Sequence, residues 1–329
     1  MSLLARNAEQ FFWLGRYIER AANISRIIEI HSAHNSGHDD EQSWGWLVAL
    51  YSDEALFKKS YAEYSFKNVI RFYVGDPANP GSIVSALRAA RENARALRAV
   101  IPTEMWNQLN QFYNGFLELD ESDLDLIHLT RTCGTIKHGC YAQLGVIEST
   151  LYRDEGERFF RLGLMIERAD QTSRLLDVKF AQLATRAATN PEVVDATFWA
   201  LVLRSAAAYQ AFRRLERKSA DPASVAKFLL LNPCHPKSVA CCATEIHRVL
   251  QELRSGYALR QTSFALEKLE VIVDGLEQAS RDPALVTRLH DINDWLQLRL
   301  ADLTNELAIR FFGAEQPKQQ MQSQSQSVA

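Results

Sequence analysis

EQFFWLGRYIERAANISRIIE, residues 9–29, and ERFFRLGLMIERADQTSRLLD, residues 157–177, decide how this chain folds. They lie 148 positions apart, align without a gap and share eleven of 21 residues. In the first copy Phe11, Leu14, Ile18 and Ser25 fall on one helical face, with Ala21, Ala22 and Ile28 beside them. Apolar residues recurring every three or four positions predict an amphipathic helix. At the middle of each copy stands an adjacent Glu and Arg, Glu19-Arg20 and Glu167-Arg168.

The same period runs outward in both directions, interrupted by only 14 glycines and 9 prolines. It predicts an all-α chain, with helices near 2–34, 42–57, 82–100, 103–118, 122–152, 154–187, 191–217, 238–254, 259–279 and 284–312. Shorter helices are expected near 65–73 and 222–230; VIRFYV (69–74) and FLLL (228–231) read equally well as strands. The Gln/Ser-rich end, residues 313–329, carries too little apolar surface to fold and is expected to be a disordered tail.

A second pair of segments extends the repeat. FYVGDPANPGSIV (72–84) matches FLLLNPCHPKSVA (228–240) at an offset of 156, with Phe72/Phe228, Pro77/Pro233, Pro80/Pro236 and Ser82/Ser238 coinciding. The shared chemistry is a proline-stiffened turn leading to a serine able to cap the next helix. Two anchors in the same order imply one helical domain over 1–312 built from two pseudo-repeats, about 1–150 and 151–312, with the long helices packed about a pseudo-twofold axis. Gly15 and Gly163 lack a Cβ, so these helices are expected to meet there.

On a helical wheel Phe12, Glu19 and Arg26 line up at intervals of seven, as do Phe160, Glu167 and Arg174. Arg20 and Arg168 point about 100° from their neighbouring glutamates, so each charge should pair across helices, with its counterpart in the other half as one option, rather than with its sequence neighbour. Two readings stand open. In one, Glu19 with Arg174 and Glu167 with Arg26 form buried ion pairs that fix register. In the other, these charges line a cleft that holds a charged ligand, for which arginine suits planar carboxylates and phosphates.

Composition narrows the function classes. A net charge of −3 gives no basic excess for nucleic acid and no attraction to an anionic membrane. The first twenty residues lack a signal-peptide layout, and no apolar run is long enough to span a bilayer. Five cysteines, at 133, 140, 234, 241 and 242, fit reduced thiols. A cytoplasmic location is expected.

Three stretches carry a family resemblance: AEQFFWLGRYIERA, ARENARALRAVIPTEMWNQLN (90–110) and STLYRDEGERFFRLGLMIERADQTSRLLD (149–177). In this order the chain resembles the alpha-E domain family, a bacterial all-α domain named for its Glu-Arg motif. The resemblance implies an all-helical fold and association with circularly permuted ATP-grasp ligase-like proteins and transglutaminase-like peptidases, in systems suspected of making or breaking amide bonds. It marks as motif positions Trp13, Gly15, Arg16, Glu19 and Arg20, then Arg91, Glu92, Asn93 and Arg95, and finally Arg153, Asp154, Glu167, Arg168 and Asp170. Leu164 and Met165 stand where the first copy has Arg16 and Tyr17, so a site drawing on both halves cannot be symmetric.

Other constellations carry less. Arg88, Arg91, Arg95 and Arg98 form one stripe, of which the second half keeps only Arg254. It reads as an anion site, with Arg91 and Arg95 on a concave surface shared with Glu19 or Arg168, or as a solvated face pairing with the acidic stretch 118–125. His31, His34, His38, Asp39 and Asp40 have metal-ligand chemistry but run from a helix end into a loop, with Lys179 at the position matching His31. No metal and no cofactor is expected. Phosphate-loop and nucleophile-elbow motifs are absent from the sequence. The expected function is therefore a non-catalytic binding or scaffold component of an ATP-grasp-associated peptide-ligase system, holding a charged peptide, an amino acid or the partner protein. The alternative is an enzyme of amide chemistry with Glu19 or Glu167 as general acid/base.

Overall fold

The computed structural model describes residues 3–34, 42–189, 196–216 and 220–313. Among these the chain is helical throughout: α1 (Ala5–His34), α2 (Gln42–Tyr51), α3 (Glu54–Phe57), α4 (Phe66–Val74), α5 (Ile83–Ala96), α6 (Thr103–Leu117), α7 (Leu126–Thr150), α8 (Glu155–Thr189), α9 (Ala196–Ser205), α10 (Tyr209–Leu215), α11 (Pro222–Leu231), α12 (Val239–Gly256), α13 (Thr262–Arg281) and α14 (Leu289–Phe311). Both segments that read equally as strands are helical, in α4 and α11. None of these helices is long and apolar enough to cross a membrane. The tail beyond Gly313, residues 190–195, and His38, Asp39 and Asp40 lie outside the described residues.

The two motif helices are the centre. α1 packs most extensively on α8, then on α7 and α5; α8 packs on α1, then on α12 and α14. Around α1, α6 touches α5 and α7; around α8, α13 touches α12 and α14. Gly15 and Gly163 permit the central crossing. A Cβ on Gly15 would overlap the Phe160 carbonyl oxygen and lie 2.9 Å from Leu164 N. One on Gly163 would overlap the Phe12 carbonyl oxygen and lie 2.8 Å from its carbon. These are backbone atoms, which no rotamer change can move aside. Phe12 and Phe160 flank the crossing, both buried.

Ser82 and Ser238 cap α5 and α12. Each accepts a backbone N–H three residues on, from Ser85 at 3.2 Å and from Cys241 at 3.1 Å. Their hydroxyls donate back into the proline turn, Ser82 to the Asn79 carbonyl at 2.8 Å and Ser238 to that of Asn232.

Three expected helices are interrupted. The span 42–57 breaks at Ser52 and the span 191–217 at Ala207, both left-handed at φ 56. At each break the helix closes by the same pair of bonds: Ser52 N–H to Ala49 and Asp53 N–H to Val48, then Ala207 N–H to Arg204 and Ala208 N–H to Leu203. This is the Schellman closure, here made without glycine. The third, 122–152, begins as a 3-10 turn over Glu121–Leu124 capped by Asp120 and restarts as α7.

Candidate functional site

Because α1 and α8 approach so closely, the motif charges of one helix reach those of the other. Glu19 is 1% exposed and accepts from Arg168 Nη2 at 2.9 Å, Arg168 Nε at 3.1 Å, Lys237 Nζ at 2.6 Å and Asn23 Nδ2 at 3.2 Å. Glu167 is fully buried and accepts from Arg20 Nε at 2.6 Å, Arg20 Nη2 at 3.0 Å, Arg16 Nε at 2.7 Å and Gln171 Nε2 at 3.1 Å. Each glutamate is thus held by the arginine that follows the other glutamate in sequence. This corrects the wheel-based pairing: Arg174 goes to Asp170 at 2.9 Å, not to Glu19, and Arg26 goes to the Tyr141 hydroxyl, not to Glu167.

The two carboxylates share one electrostatic logic and differ in its parts. Beyond its motif arginine, each takes an amide four residues on and one further cation. For Glu167 that cation is Arg16, which also lies over the Trp13 ring at 5.3 Å and donates to Thr304 Oγ1 at 3.3 Å. The position matching Arg16 in the second copy is Leu164, and Glu19 instead takes Lys237 from the second proline turn. The position matching Lys237 in the first turn is Gly81. Sequence reading missed Lys237. The signal for it was Leu164, which removes a cation that a buried carboxylate still requires.

Burial pushes both glutamates toward the neutral form, yet the cations win. Glu19 is held well below the ordinary carboxylate range by Lys237 and Arg168, and Glu167 falls to about 2 under Arg20 and Arg16. Reciprocally, Glu167 raises Arg20. Burial lowers Lys237, with Glu19 opposing. A general acid or base needs a pKa near the working pH and an open face toward substrate. In this structure both are buried and engaged as internal counter-ions.

The α5 motif residues and Arg153 and Asp154 have partners outside this cluster. Arg91 bonds to Asn110 at 2.8 Å and Glu92 at 3.0 Å, between the rings of Trp106 at 5.4 Å and Tyr113 at 5.5 Å. Arg95 pairs with Glu92, Arg98 lies over Trp106, and Asn93 is half-buried on the same helix. These partners of Arg91, Arg95 and Arg98 all lie on α5 and α6. The acidic stretch bonds instead to Lys67, Arg71 and Arg131. Arg153 is exposed and pairs with Glu148, while Asp154 Oδ1 accepts from the N–H of Gly156 at 2.8 Å and Glu157 at 3.3 Å, capping α8. His31 accepts from Trp46 Nε1 at 3.1 Å and packs edge-on against Trp44.

No curated protein and no solved structure is similar enough to this chain to match. Residues 3–312 match the Alpha-E family, described as "a predicted alpha-helical domain with a conserved ER motif". The chain belongs to that family.

Proposed function

We propose that this Alpha-E protein is a non-catalytic binding or scaffold component of a cytoplasmic peptide-metabolising system, working beside an ATP-grasp ligase-like protein and a transglutaminase-like peptidase. The observation that carries this reading is the closure of the motif. Glu19 and Glu167 are buried, ionised and each saturated by two cations and an amide. Groups so engaged fix how two helices sit on each other; they do not shuttle protons. The charges named by the family motif thus build the body of the protein, and its outer faces are left for partners. The ATP-grasp and peptidase partners come from the family resemblance alone.

Two measurements test the reading. The purified chain should show no turnover of a mixed peptide library from acid to alkaline pH. Affinity capture from the native cell, read by mass spectrometry, should recover an ATP-grasp-type protein. Turnover by the isolated chain that disappears in Glu19→Gln, while helicity is retained, would establish the enzymatic alternative instead.

A further inference from the structure

The two sides of the motif crossing carry unequal charge. Around Glu167 stand the cations Arg16, Arg20 and Arg174 and the carboxylates Glu167, Asp170 and Asp53. Asp53, which accepts from the Tyr73 hydroxyl at 3.0 Å, is the third carboxylate of that group. Cations and carboxylates there balance three to three. Around Glu19, among the described residues, stand Arg168, Lys237 and Arg26, three cations to one carboxylate. Glu29 on α1 and Glu245 on α12 already have cations of their own, Lys137 for the first and Arg248 and Arg161 for the second.

Of the two carboxylates by which the sides differ, one traces to a single position. Asp170, which neutralises Arg174 four residues on, is matched 148 positions earlier by Ala22. Among the described residues, therefore, no carboxylate pairs with Arg26, the match of Arg174. Its guanidinium touches the Tyr141 hydroxyl and lies 5.8 Å from that ring's centre, and its Nε is buried with no hydrogen-bond acceptor. Arg26 is partly exposed and Tyr141 is 36% exposed, so the group opens to solvent. Burial lowers the Lys237 pKa most and Glu19 raises it, while Arg168 and Arg26 lower it further. Buried polar groups in a folded protein are satisfied, and clustered cations are balanced. Among the described residues nothing accepts from the buried Arg26 Nε, and no carboxylate balances its charge.

We propose that Arg26, backed by Arg168 and Lys237 and with the Tyr141 hydroxyl beside it, binds an oxyanion, a carboxylate or a phosphate, which takes the place that Asp170 occupies on the other side. An oxyanion suits the planar guanidinium, which offers Nε and an Nη as parallel donors, and Tyr141 adds an O–H. The site does not depend on the scaffold reading, since it needs neither a partner nor the absence of catalysis.

The test is calorimetric titration of the full chain at constant ionic strength with inorganic phosphate, with N-acetylglycine as a minimal peptide C-terminus, and with N-acetylglycinamide as its neutral control. Phosphate or N-acetylglycine should saturate one site per chain, and whichever does so identifies the source of the oxyanion; the amide should not bind. Arg26→Gln should weaken binding at least about tenfold and Arg26→Lys by less, because lysine keeps the charge and loses the fork. Ala22→Asp, which builds the internal carboxylate of the other side, should abolish binding. Should that substitution disturb the fold, Arg26→Gln and Tyr141→Phe on the surface still decide. No saturable heat with either anion up to about 20 mM, or affinity unchanged by Arg26→Gln, would overturn the proposal. Either result would leave the scaffold reading untouched, just as turnover by the isolated chain would leave this site untouched.

Discussion

Replacing Glu167 by Gln tests whether the buried counter-ion holds the two central helices together. The side chain keeps its shape and one carbonyl oxygen, but Arg16 and Arg20 lose their anion; their side chains are 11% and 23% exposed, so water cannot fully replace it. The fall of the Glu167 pKa from 4.5 to about 2, at about 1.4 kcal/mol per pH unit, corresponds to about 3 kcal/mol. Removing one partner of a buried pair costs about 3–5 kcal/mol by independent reasoning, so the two routes agree. The sign follows from the depressed folded pKa. This stability is fully present above the unfolded value of 4.5 and is lost as pH falls toward the folded value of about 2. Urea unfolding should therefore show Glu167→Gln destabilised by about 3 kcal/mol near pH 7, with the gap to the parent narrowing as pH drops below 4.5. A loss under about 1 kcal/mol near pH 7, or a gap indifferent to pH down to about 3, would refute the reasoning.

Alanine at Gly163 or Gly15 normally gains about 1 kcal/mol inside a helix, but here it should destabilise, because the new Cβ meets backbone of the facing helix; thermal melting decides the sign. Ser82→Ala and Ser238→Ala should each cost about 1 kcal/mol in urea titrations and add nearly independently, since they cap different helices. Arg91→Ala should cost no more than about 1 kcal/mol, since its ion pair with Glu92 is partly exposed, and should leave oxyanion binding at Arg26 unchanged by calorimetry.

Much of this architecture was legible because its signals are local. The period of apolar residues marks α1 and α8, a serine after a proline turn marks the start of α5 and α12, and a glycine in each copy marks the crossing. The breaks at Ser52 and Ala207 were not legible, because the left-handed residue that closes each helix is not glycine and leaves no mark in the sequence. Pairing was half legible. The wheel gave pairing across helices but chose Arg26 and Arg174, since it records the direction of Cβ and not the reach of a long guanidinium side chain between backbones in contact. Lys237 arrives from a turn 218 residues away from Glu19, a contact that no helical period encodes. The excess of charge at Arg26 became visible only once Asp170 had been found on Arg174 and the matching Ala22 had been seen to leave a gap.

The central claim is that each copy of the motif is completed by the other. A pair of double-mutant cycles on unfolding free energy tests it most directly, one crossing the helices at Glu19 and Arg168, the other along the chain at Glu19 and Arg20. The cross-helix cycle joins side chains 2.9 Å apart and should give a coupling of about 2 kcal/mol or more, while the sequence neighbours, bonded to different partners, should couple by less than about 0.5 kcal/mol. Stronger coupling between the neighbours than across the helices would contradict the account.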